Sequence, residues 1–287
     1  GKLARAITLI EAVSDGQVER SLWEGVSEGL RTKAAAAVVP TIGVTGTGGA
    51  GKSSLVDELV RRFVEDFPEA RVAVLSVDPT KKRTGGALLG DRIRMNVLAG
   101  GRVFMRSLAT RSSGSEVSAA LAESIGLCKA VGFDLIVAET TGIGQADSSI
   151  VELCDAAMYV MTPEFGAQSQ LEKIEMIDLA DLVVVNKFDK PGALDALRDV
   201  RKAYQRAHGR FQEAVDTMPV HATVASQWGD RGANTAYIAM LELLSERTGV
   251  PFSGRYVGQL AVGLPERACL IPGRRSRYLS EVVDTVS

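Results

Sequence analysis

The sequence predicts an α/β fold in which a doubly wound, mostly parallel sheet carries helices on both faces. Short apolar runs alternate with amphipathic stretches after Pro40, which is typical of parallel sheets covered by helices. A glycine-rich turn follows the first run, and 287 residues with 46% hydrophobic and 24% charged are enough for a large core. The predicted strands are 41–45, 72–77, 102–106, 133–138, 156–161, 182–185 and 217–221, and the predicted helices between them are 52–66, 116–131, 169–179, 191–208 and 234–248.

The chain divides into one main domain with a segment on either side. Apolar residues at helical spacing within 3–37 predict a helical lead-in or linker over residues 1–39. The main domain is expected over 40–249. Prolines and glycines interrupt the pattern afterwards, so 250–287 is expected to form a C-terminal arm or linker with a last helix at 278–286.

The charge and cysteine content predict the class of partner and the cellular compartment. Thirty-three basic and 35 acidic residues give a net charge of -2, so we expect neither nucleic acid nor a membrane as partner. The three dispersed cysteines, Cys128, Cys154 and Cys269, are expected to be reduced thiols in a cytoplasmic protein. No apolar run approaches the roughly 18 residues that span a bilayer, and no leader is apparent. Glycine at position 1 indicates a processed or tagged chain, or a piece of a longer polypeptide.

The turn after the first strand matches a phosphate-binding loop. Residues 46–53 read GTGGAGKS, which fits GxxxxGK[ST] between a predicted strand and a predicted helix. Glycines let several backbone N–H groups face one anion, Lys52 can reach the β and γ phosphates, and the Ser53 hydroxyl can bind magnesium. The predicted nucleotide contacts here are Gly48, Gly49, Ala50, Gly51, Lys52, Ser53 and Ser54.

The same glycines leave a second interpretation open. Gly46, Gly48 and Gly51 also spell GxGxxG, and Asp78 ends the next strand, as a dinucleotide-binding fold requires for a ribose hydroxyl. A pyrophosphate-binding turn does not need the Lys52-Ser53 pair, whereas a triphosphate with Mg²⁺ does. The sequence therefore favours a P-loop NTPase.

A second motif predicts the choice of base. Asn186, Lys187 and Asp189 form NKxD directly after the apolar run 182–185, at the strand end where ligands bind in open α/β sheets. The Asp189 carboxylate can accept hydrogen bonds from the ring N–H and the exocyclic amine of guanine, and adenine offers no such pair of donors. These residues therefore favour guanine. The guanine-contacting loop is assigned to 222–226, although it departs from the usual Ser-Ala-Lys pattern.

Carboxylates at strand ends are candidate metal ligands. Glu139 ends an apolar strand, where an unpaired charge is costly, so a metal or a metal-bound water is its natural partner. Residues 139–142 read ETTG, which resembles the Walker B and glycine-switch region of GTPases, with Gly142 near the γ-phosphate. The predicted Mg²⁺ set is Ser53, Asp78, Asp91 and Glu139, and the predicted catalytic residues are Lys52, Glu139 and Asp78.

The residue that positions the attacking water is less well defined. Ile143 follows the switch glycine, where many GTPases carry glutamine, and Gln145 comes two residues later. Efficient intrinsic hydrolysis is therefore not predicted, and a loop, a second subunit or a partner is expected to supply the missing stabilisation. The basic candidates within the chain are Lys81, Lys82, Arg83, Arg92, Arg94, Arg106 and Arg111, each of which alone is more typical of a solvated side chain.

In combination, the motifs resemble those of the MeaB/ArgK-type P-loop GTPases, the chaperones of adenosylcobalamin-dependent acyl-CoA mutases. The resemblance rests on 46–53, VDPT at 77–80, LGDR at 89–92, ETTGIGQ at 139–145 and NKFD at 186–189. Within that family the chain is most similar to the G-domain of the fused isobutyryl-CoA mutases, because of residues 104–115, 159–164 and 277–279.

The resemblance implies a mutase partner, in cis or in trans, whose adenosylcobalamin loading is coupled to GTP. It also implies the Mg²⁺ and phosphate roles named above, and guanine contacts by Asn186, Lys187 and Asp189. A homodimer is expected.

Three functional hypotheses follow. The first is a Mg²⁺-dependent GTPase that hydrolyses GTP to GDP and phosphate and serves as chaperone for cofactor loading of an acyl-CoA mutase. The second is a regulatory module that binds guanine nucleotide with little turnover. The third is a dinucleotide-dependent oxidoreductase.

Two further side chains attract attention. His221 is expected to be a hydrogen-bonded strand-end residue rather than a metal ligand, and Trp228 is expected to pack as a loop anchor.

Overall fold

A computed structural model describes residues 1–79, 95–110, 114–140, 146–166, 171, 174–254 and 258–266. Seven strands form one sheet in the order β3-β2-β4-β1-β5-β6-β7, and all six neighbouring pairs are parallel. The strands are β1 (Thr41–Gly46), β2 (Val72–Pro79), β3 (Val103–Thr110), β4 (Leu135–Thr140), β5 (Ala156–Met161), β6 (Leu182–Val185) and β7 (Val220–Ala222). The predicted α/β class is confirmed.

Helices follow most of the strands. They are α1 (Lys2–Ser14), α2 (Arg20–Ala36), α3 (Lys52–Asp66), α4 (Gly114–Val131), α5 (Ala146–Leu153), α6 (Met176–Leu179), α7 (Ala193–Ala207) and α8 (Arg231–Thr248), with short 3₁₀ helices at Asn96–Gly100, Pro163–Phe165 and Val215–Thr217. Of the helix predicted over 169–179, the structure shows α6 at 176–179. The helix α5 was not predicted. The helix predicted at 278–286 lies outside the described residues.

The strand order excludes the dinucleotide-binding alternative. In folds that bind dinucleotides, the strand preceding the glycine-rich turn lies directly beside the second strand. Here β4 lies between β1 and β2, with Val44 of β1 beside Glu139 of β4, and Ser76 of β2 on its other side. The strand order around the glycine-rich turn therefore differs from that of an NAD-binding fold.

Apolar residues cover both faces of the sheet. β1, β4 and β5 are buried along their whole lengths, as expected for central parallel strands. On one face Phe63 of α3 and Tyr237 of α8 pack into the core. On the other face Ile7 of α1 and Trp23 of α2 share a core with α4. The lead-in helices thus complete one side of the sheet.

Side-chain contacts fix the lead-in helices to the sheet layer. Arg106 of β3 pairs with Glu11 of α1 and donates a 3.0 Å hydrogen bond to Thr8 Oγ1. The indole N–H of Trp23 donates to Glu123 of α4 at 3.2 Å. These contacts link the lead-in to two elements of the main domain.

Aspartates at the starts of strands set the strand register at the edge opposite the site. Asp155, just before β5, accepts from the backbone N–H of Thr41 at 2.8 Å. Asp181, just before β6, accepts from Ala157 N–H at 2.9 Å. Each carboxylate satisfies a backbone donor of the neighbouring strand, which holds the two strand beginnings level.

Within the described ranges, no helix is both long and apolar enough to cross a membrane. Cys128 and Cys154 are free thiols, and burial raises the pKa of each to about 12. Their low thiolate content makes them poor nucleophiles at neutral pH. Cys269 lies outside the described residues.

Candidate nucleotide-binding site

The glycine-rich turn lies between β1 and α3, as the motif predicts. Gly46 ends β1 at φ 147°, where a Cβ atom would lie 1.9 Å from the carbonyl oxygen of Val160 on β5. Gly51 takes φ 85° directly before α3. The turn is closed by a 3.1 Å hydrogen bond from Ala50 N–H to Thr47 O. Glycine is needed at both ends, because one position lies against backbone and the other is left-handed.

Lys52 lies inside the turn rather than in solvent. Its side chain is 8% exposed, and its ammonium group donates to the carbonyl oxygens of Gly46 at 2.8 Å and Thr47 at 3.1 Å. The positive charge therefore lies at the mouth of α3, whose N-terminal end adds a positive potential. A phosphate bound at this turn would meet both the ammonium and the helix end.

Ser53 and Glu139 come together across the sheet. The Ser53 hydroxyl donates to Glu139 Oε1 at 2.8 Å, and Glu139 is 5% exposed at the end of β4. Because the Ser53 hydroxyl donates its only hydrogen to Glu139, the lone pairs of its oxygen point away from that hydrogen bond. Hydroxyl and carboxylate oxygens are the ligands that Mg²⁺ prefers, and Mg²⁺ usually keeps several waters. The donor set fits a magnesium ion, although the described residues contain no cluster of three or more acidic, histidine or cysteine side chains able to hold a metal.

The remaining predicted metal ligands are Asp78 and Asp91, and the predicted switch residue is Gly142. Asp78 lies one residue beyond the Val77–Thr140 pair of β2 and β4, so its backbone reaches the same edge of the sheet as Glu139. Asp91 and Gly142 lie outside the described residues. The roles of these three residues stay predictions.

Asn186 joins three loops at the end of the site where the sequence predicts the base. Its Nδ2 donates to the carbonyl oxygen of Ala50 at 2.8 Å. Its Oδ1 accepts from the Thr223 hydroxyl and from Ala225 N–H, both at 3.0 Å. Asn186 is 2% exposed, so these bonds hold the phosphate turn and the loop after β7 in a fixed relation.

Lys187 and Asp189 follow at the same edge. Lys187 takes φ 57°, an uncommon conformation for a residue other than glycine, and the next amide, Phe188 N–H, donates to Thr223 O at 3.0 Å. Asp189 is exposed and lines a cavity of about 470 Å³. The structure thus brings Asn186, Lys187 and Asp189 to one end of the site, and Lys52, Ser53 and Glu139 to the other.

The sequence reasoning missed Asp230, which organises the loop after β7. Its Oδ2 accepts from Val224 N–H at 3.0 Å and from Ala233 N–H at 2.8 Å, so it caps α8 and closes residues 224–230. Arg62 of α3 supports the same corner through Asn234 Oδ1 at 2.8 Å. An aspartate before a helix was the available signal, since aspartate favours N-caps.

Two expectations about isolated side chains were wrong. The Nε2 atom of His221 is buried and has no hydrogen-bond partner among the described residues, and burial lowers the pKa of His221 to about 4. Trp228 is 78% exposed, with the guanidinium carbon of Arg61 4.3 Å from the ring centroid.

Of the basic candidates, Arg106 contacts α1 and is not available to bind phosphate. Its guanidinium is engaged with Glu11 and Thr8 of α1, as described above. The other six basic candidates lie outside the described residues.

Comparisons with known proteins find relatives over almost the whole chain. The family model described as "Methylmalonyl Co-A mutase-associated GTPase MeaB" matches residues 3–241. A fused isobutyryl-CoA mutase of Geobacillus kaustophilus is 49% identical over 284 residues, which cover 99% of this chain and 26% of that protein. A fused isobutyryl-CoA mutase of Cupriavidus metallidurans is 49% identical over 282 residues, covering 97% of this chain and 25% of that protein. The chain therefore spans about a quarter of the length of these curated relatives.

A solved structure supports the fold. The crystal structure of an LAO/AO transport system kinase superposes with a TM-score of 0.60 at 21% identity, covering 99% of this chain and 78% of the other. At this identity the likeness shows the fold alone, a P-loop NTPase.

Proposed function

The chain belongs to the MeaB family and is a P-loop GTPase, and from that membership we propose that it hydrolyses GTP to GDP and phosphate in a Mg²⁺-dependent reaction. The observation that carries this proposal is the arrangement of Lys52, Ser53 and Glu139 at one end of a site whose other end holds Asn186 and Asp189. Asn186 fixes the relation between the two ends. A triphosphate and a guanine base can then be bound at the same time.

The phosphate end is pre-organised by the chain itself. Backbone N–H groups of the turn and the start of α3 would bind phosphate oxygens, and Gly48, Gly49 and Ala50 allow a close approach. Lys52 would exchange its carbonyl contacts with Gly46 and Thr47 for the β and γ phosphates. Because Lys52 is itself buried, its charge is screened less than at the surface.

The base end selects guanine through Asp189. Its carboxylate would accept from the ring N–H and the exocyclic amine of guanine, and the backbone of the loop after β7 would lie against the same base. Adenine would leave the carboxylate without donors, which costs affinity. Asn186 is buried and bonded to both loops, so it would hold them in place beside the base, and its predicted guanine contact stays a prediction.

Hydrolysis requires an in-line attack of water on the γ-phosphate. Ser53 and Glu139 would hold Mg²⁺, directly or through water, and the ion supplies neutralisation of the phosphate charge that develops in the transition state. Glu139 orients the Ser53 hydroxyl through their 2.8 Å hydrogen bond. Lys52 and the turn amides stabilise the negative charge that moves toward the leaving phosphate oxygens.

The partner is proposed from the relatives' composition. The relatives named as fused isobutyryl-CoA mutases contain this region as about a quarter of their length. We propose that this chain acts on an adenosylcobalamin-dependent acyl-CoA mutase, in cis or in trans, as chaperone or gatekeeper of cofactor loading. Loss of the γ-phosphate contacts would release loops at the phosphate end and change the surface that the mutase contacts. The expected homodimer stays a prediction.

Phosphate release from GTP tests the enzyme activity. It is measured with Mg²⁺, with chelator, and with Mg²⁺ plus an adenosylcobalamin-dependent acyl-CoA mutase, and Lys52→Ala gives the background rate. We expect Mg²⁺-dependent release above that background, increased by the mutase. Tight GDP binding without turnover in any of these conditions would overturn hydrolysis and favour the regulatory module instead.

A further inference from the structure

Residues 258–266, here called the strap, run beside the beginning of α8. Asn234 Nδ2 donates to the carbonyl oxygen of Ala261 at 2.8 Å, and Gly263 N–H donates to the Thr235 hydroxyl at 3.0 Å. These are contacts to the first turns of α8, the helix that Asp230 caps. The strap is therefore bound to the same corner that shapes the loop after β7.

The end of the strap reaches that loop directly. Gln227 Nε2 donates to the carbonyl oxygen of Glu266 at 2.7 Å, and the Glu266 carboxylate pairs with Arg231. A Cβ atom on Gly232 would lie 2.9 Å from Pro265 Cγ and 1.9 Å from the carbonyl oxygen of Ala222. The start of α8 is thus held between the end of β7 and the strap, with no room for a larger residue.

The strap also shares a cavity with the base-selecting carboxylate. The cavity of about 470 Å³ beside Asp189 has Leu264, Pro265 and Glu266 on one side. Gln227 and Val224, from the loop after β7, line it as well. Asp189, the loop after β7 and the strap therefore face one cavity, and the strap is bonded to that loop through Gln227.

We propose that the strap is a positioning element for guanine recognition: its docking holds the loop after β7 and Asp189 in the conformation that binds the base. The proposal rests on the function proposed above and adds which segment tunes that site. Because the two events are linked, docking of the strap strengthens guanine-nucleotide binding, and guanine nucleotide must strengthen docking of the strap by the same factor. Residues C-terminal to the strap are then coupled to the base end of the site.

The first test compares nucleotides on the full chain. Gln227→Ala removes the hydrogen bond to Glu266, and Gln205→Ala is the matched control, since Gln205 Nε2 also donates to a backbone carbonyl, that of Glu213, at 2.7 Å. Calorimetry gives the dissociation constants of GDP and IDP. Inosine lacks the exocyclic amine, so a misplaced Asp189 penalises GDP more than IDP. We expect Gln227→Ala to weaken GDP about three- to tenfold and to lower the IDP/GDP ratio of dissociation constants.

The second test measures protection of the strap directly, first in the wild-type chain and then in one variant. Hydrogen exchange of wild-type peptides covering 258–266 is compared without nucleotide, with GDP and with ADP. We expect slower exchange with GDP only. Arg231→Ala, which breaks the ion pair to Glu266, is expected to lessen that protection.

The outcomes separate the two proposals. Wild-type chain that fails to bind GDP overturns the proposed function and the inference with it. Wild-type chain that binds GDP, with an unchanged IDP/GDP ratio in Gln227→Ala or no GDP-dependent protection of the strap, overturns the inference alone. An equal loss of GDP and IDP affinity in Gln227→Ala also contradicts it, because that is the result of general destabilisation.

Discussion

The hydroxyl of Ser53 donates a 2.8 Å hydrogen bond to Oε1 of Glu139, which joins the first turn of α3 to the end of β4. The two residues are 86 positions apart in the chain. Parallel neighbours β1 and β4 bring them together, since β1 leads into α3 and the carboxyl ends of both strands share one edge. Ser53, the residue next to Lys52, is thereby oriented by a carboxylate at the end of another strand.

Removing either partner of this pair should impair Mg²⁺-supported hydrolysis. We expect Glu139→Gln and Ser53→Ala each to lower the rate of phosphate release by about 10- to 100-fold, the range found when groups around a metal are changed. Because the two side chains act as a unit, the double variant should be little worse than the poorer single variant. Steady-state rates of all four proteins at saturating GTP give the coupling. Fully multiplicative losses would show that the two residues act independently.

Glycine at position 51 should be indispensable. Its φ is 85°, and a Cβ atom there would lie 2.6 Å from Nδ2 of Asn186. Gly51→Ala should therefore strain the turn and displace Asn186, lowering the melting temperature of the nucleotide-free chain. Gly48→Ala is the matched control, because a Cβ atom at Gly48 meets no atom of the described residues within 4 Å. Equal melting temperatures for the two variants, measured by circular dichroism, would contradict the described turn.

Asn186 should contribute to stability as well as to binding. Asn186→Ala leaves the buried Thr223 hydroxyl and Ala225 N–H without their acceptor, which we expect to cost about 2–4 kcal/mol of unfolding free energy. Asn96→Ala is the control, since that side chain is exposed and Nδ2 makes one 3.2 Å bond to Asp57. Urea unfolding measures both. A loss below about 1 kcal/mol for Asn186→Ala would mean that other contacts hold the two loops together.

His221 should make the fold sensitive to mild acid. Burial lowers the pKa of His221 to about 4, whereas an unfolded histidine titrates near its ordinary value of 6.5. Below that value the unfolded chain binds more protons than the folded one, so the free energy of unfolding falls as the pH decreases from about 6.5 toward 4, by up to about 1.4 kcal/mol per unit. Above about pH 7 the contribution is constant.

Denaturant unfolding of wild type and His221→Gln between pH 7.5 and 4.5 tests this. His221→Gln should flatten the curve between pH 6.5 and 5. A slope that survives in His221→Gln would place its origin elsewhere.

The sheet was predictable from sequence, and the reason lies in its burial. All six residues of β1 and all six of β4 are buried, and most of them are apolar or small, so both strands stand out in the sequence. The helix α5 was missed because it has only eight residues, too few for a clear helical period. The order of the strands, which separates a phosphate turn from a dinucleotide turn, is set by long-range pairing that no local pattern records.

For the site, residue type and spacing predicted the parts but not their contacts. NKxD indicated a base-reading motif, yet the bonds of Asn186 to Ala50 and Ala225 connect segments 136 and 39 residues away. The exposure of Trp228 depends on the packing of neighbouring elements, and so does the lack of a partner for His221 Nε2 within the part of the chain that the structure describes. Periodicity predicts which face of a helix or strand is apolar. It does not predict whether a single aromatic side chain in a loop is buried.

Competition between nucleotides on the purified chain tests base selection most directly. Binding of a fluorescent GDP analogue in Mg²⁺ is challenged with GDP, IDP, XDP, ADP and NAD, for wild type and for Asp189→Asn. We expect wild type to bind GDP most tightly, IDP more weakly, and ADP and NAD not at all. We expect Asp189→Asn to prefer XDP, because the substitution replaces a hydrogen-bond acceptor with a donor. Equal competition by ADP or NAD, or a preference that Asp189→Asn leaves unchanged, would contradict a guanine site read by Asp189.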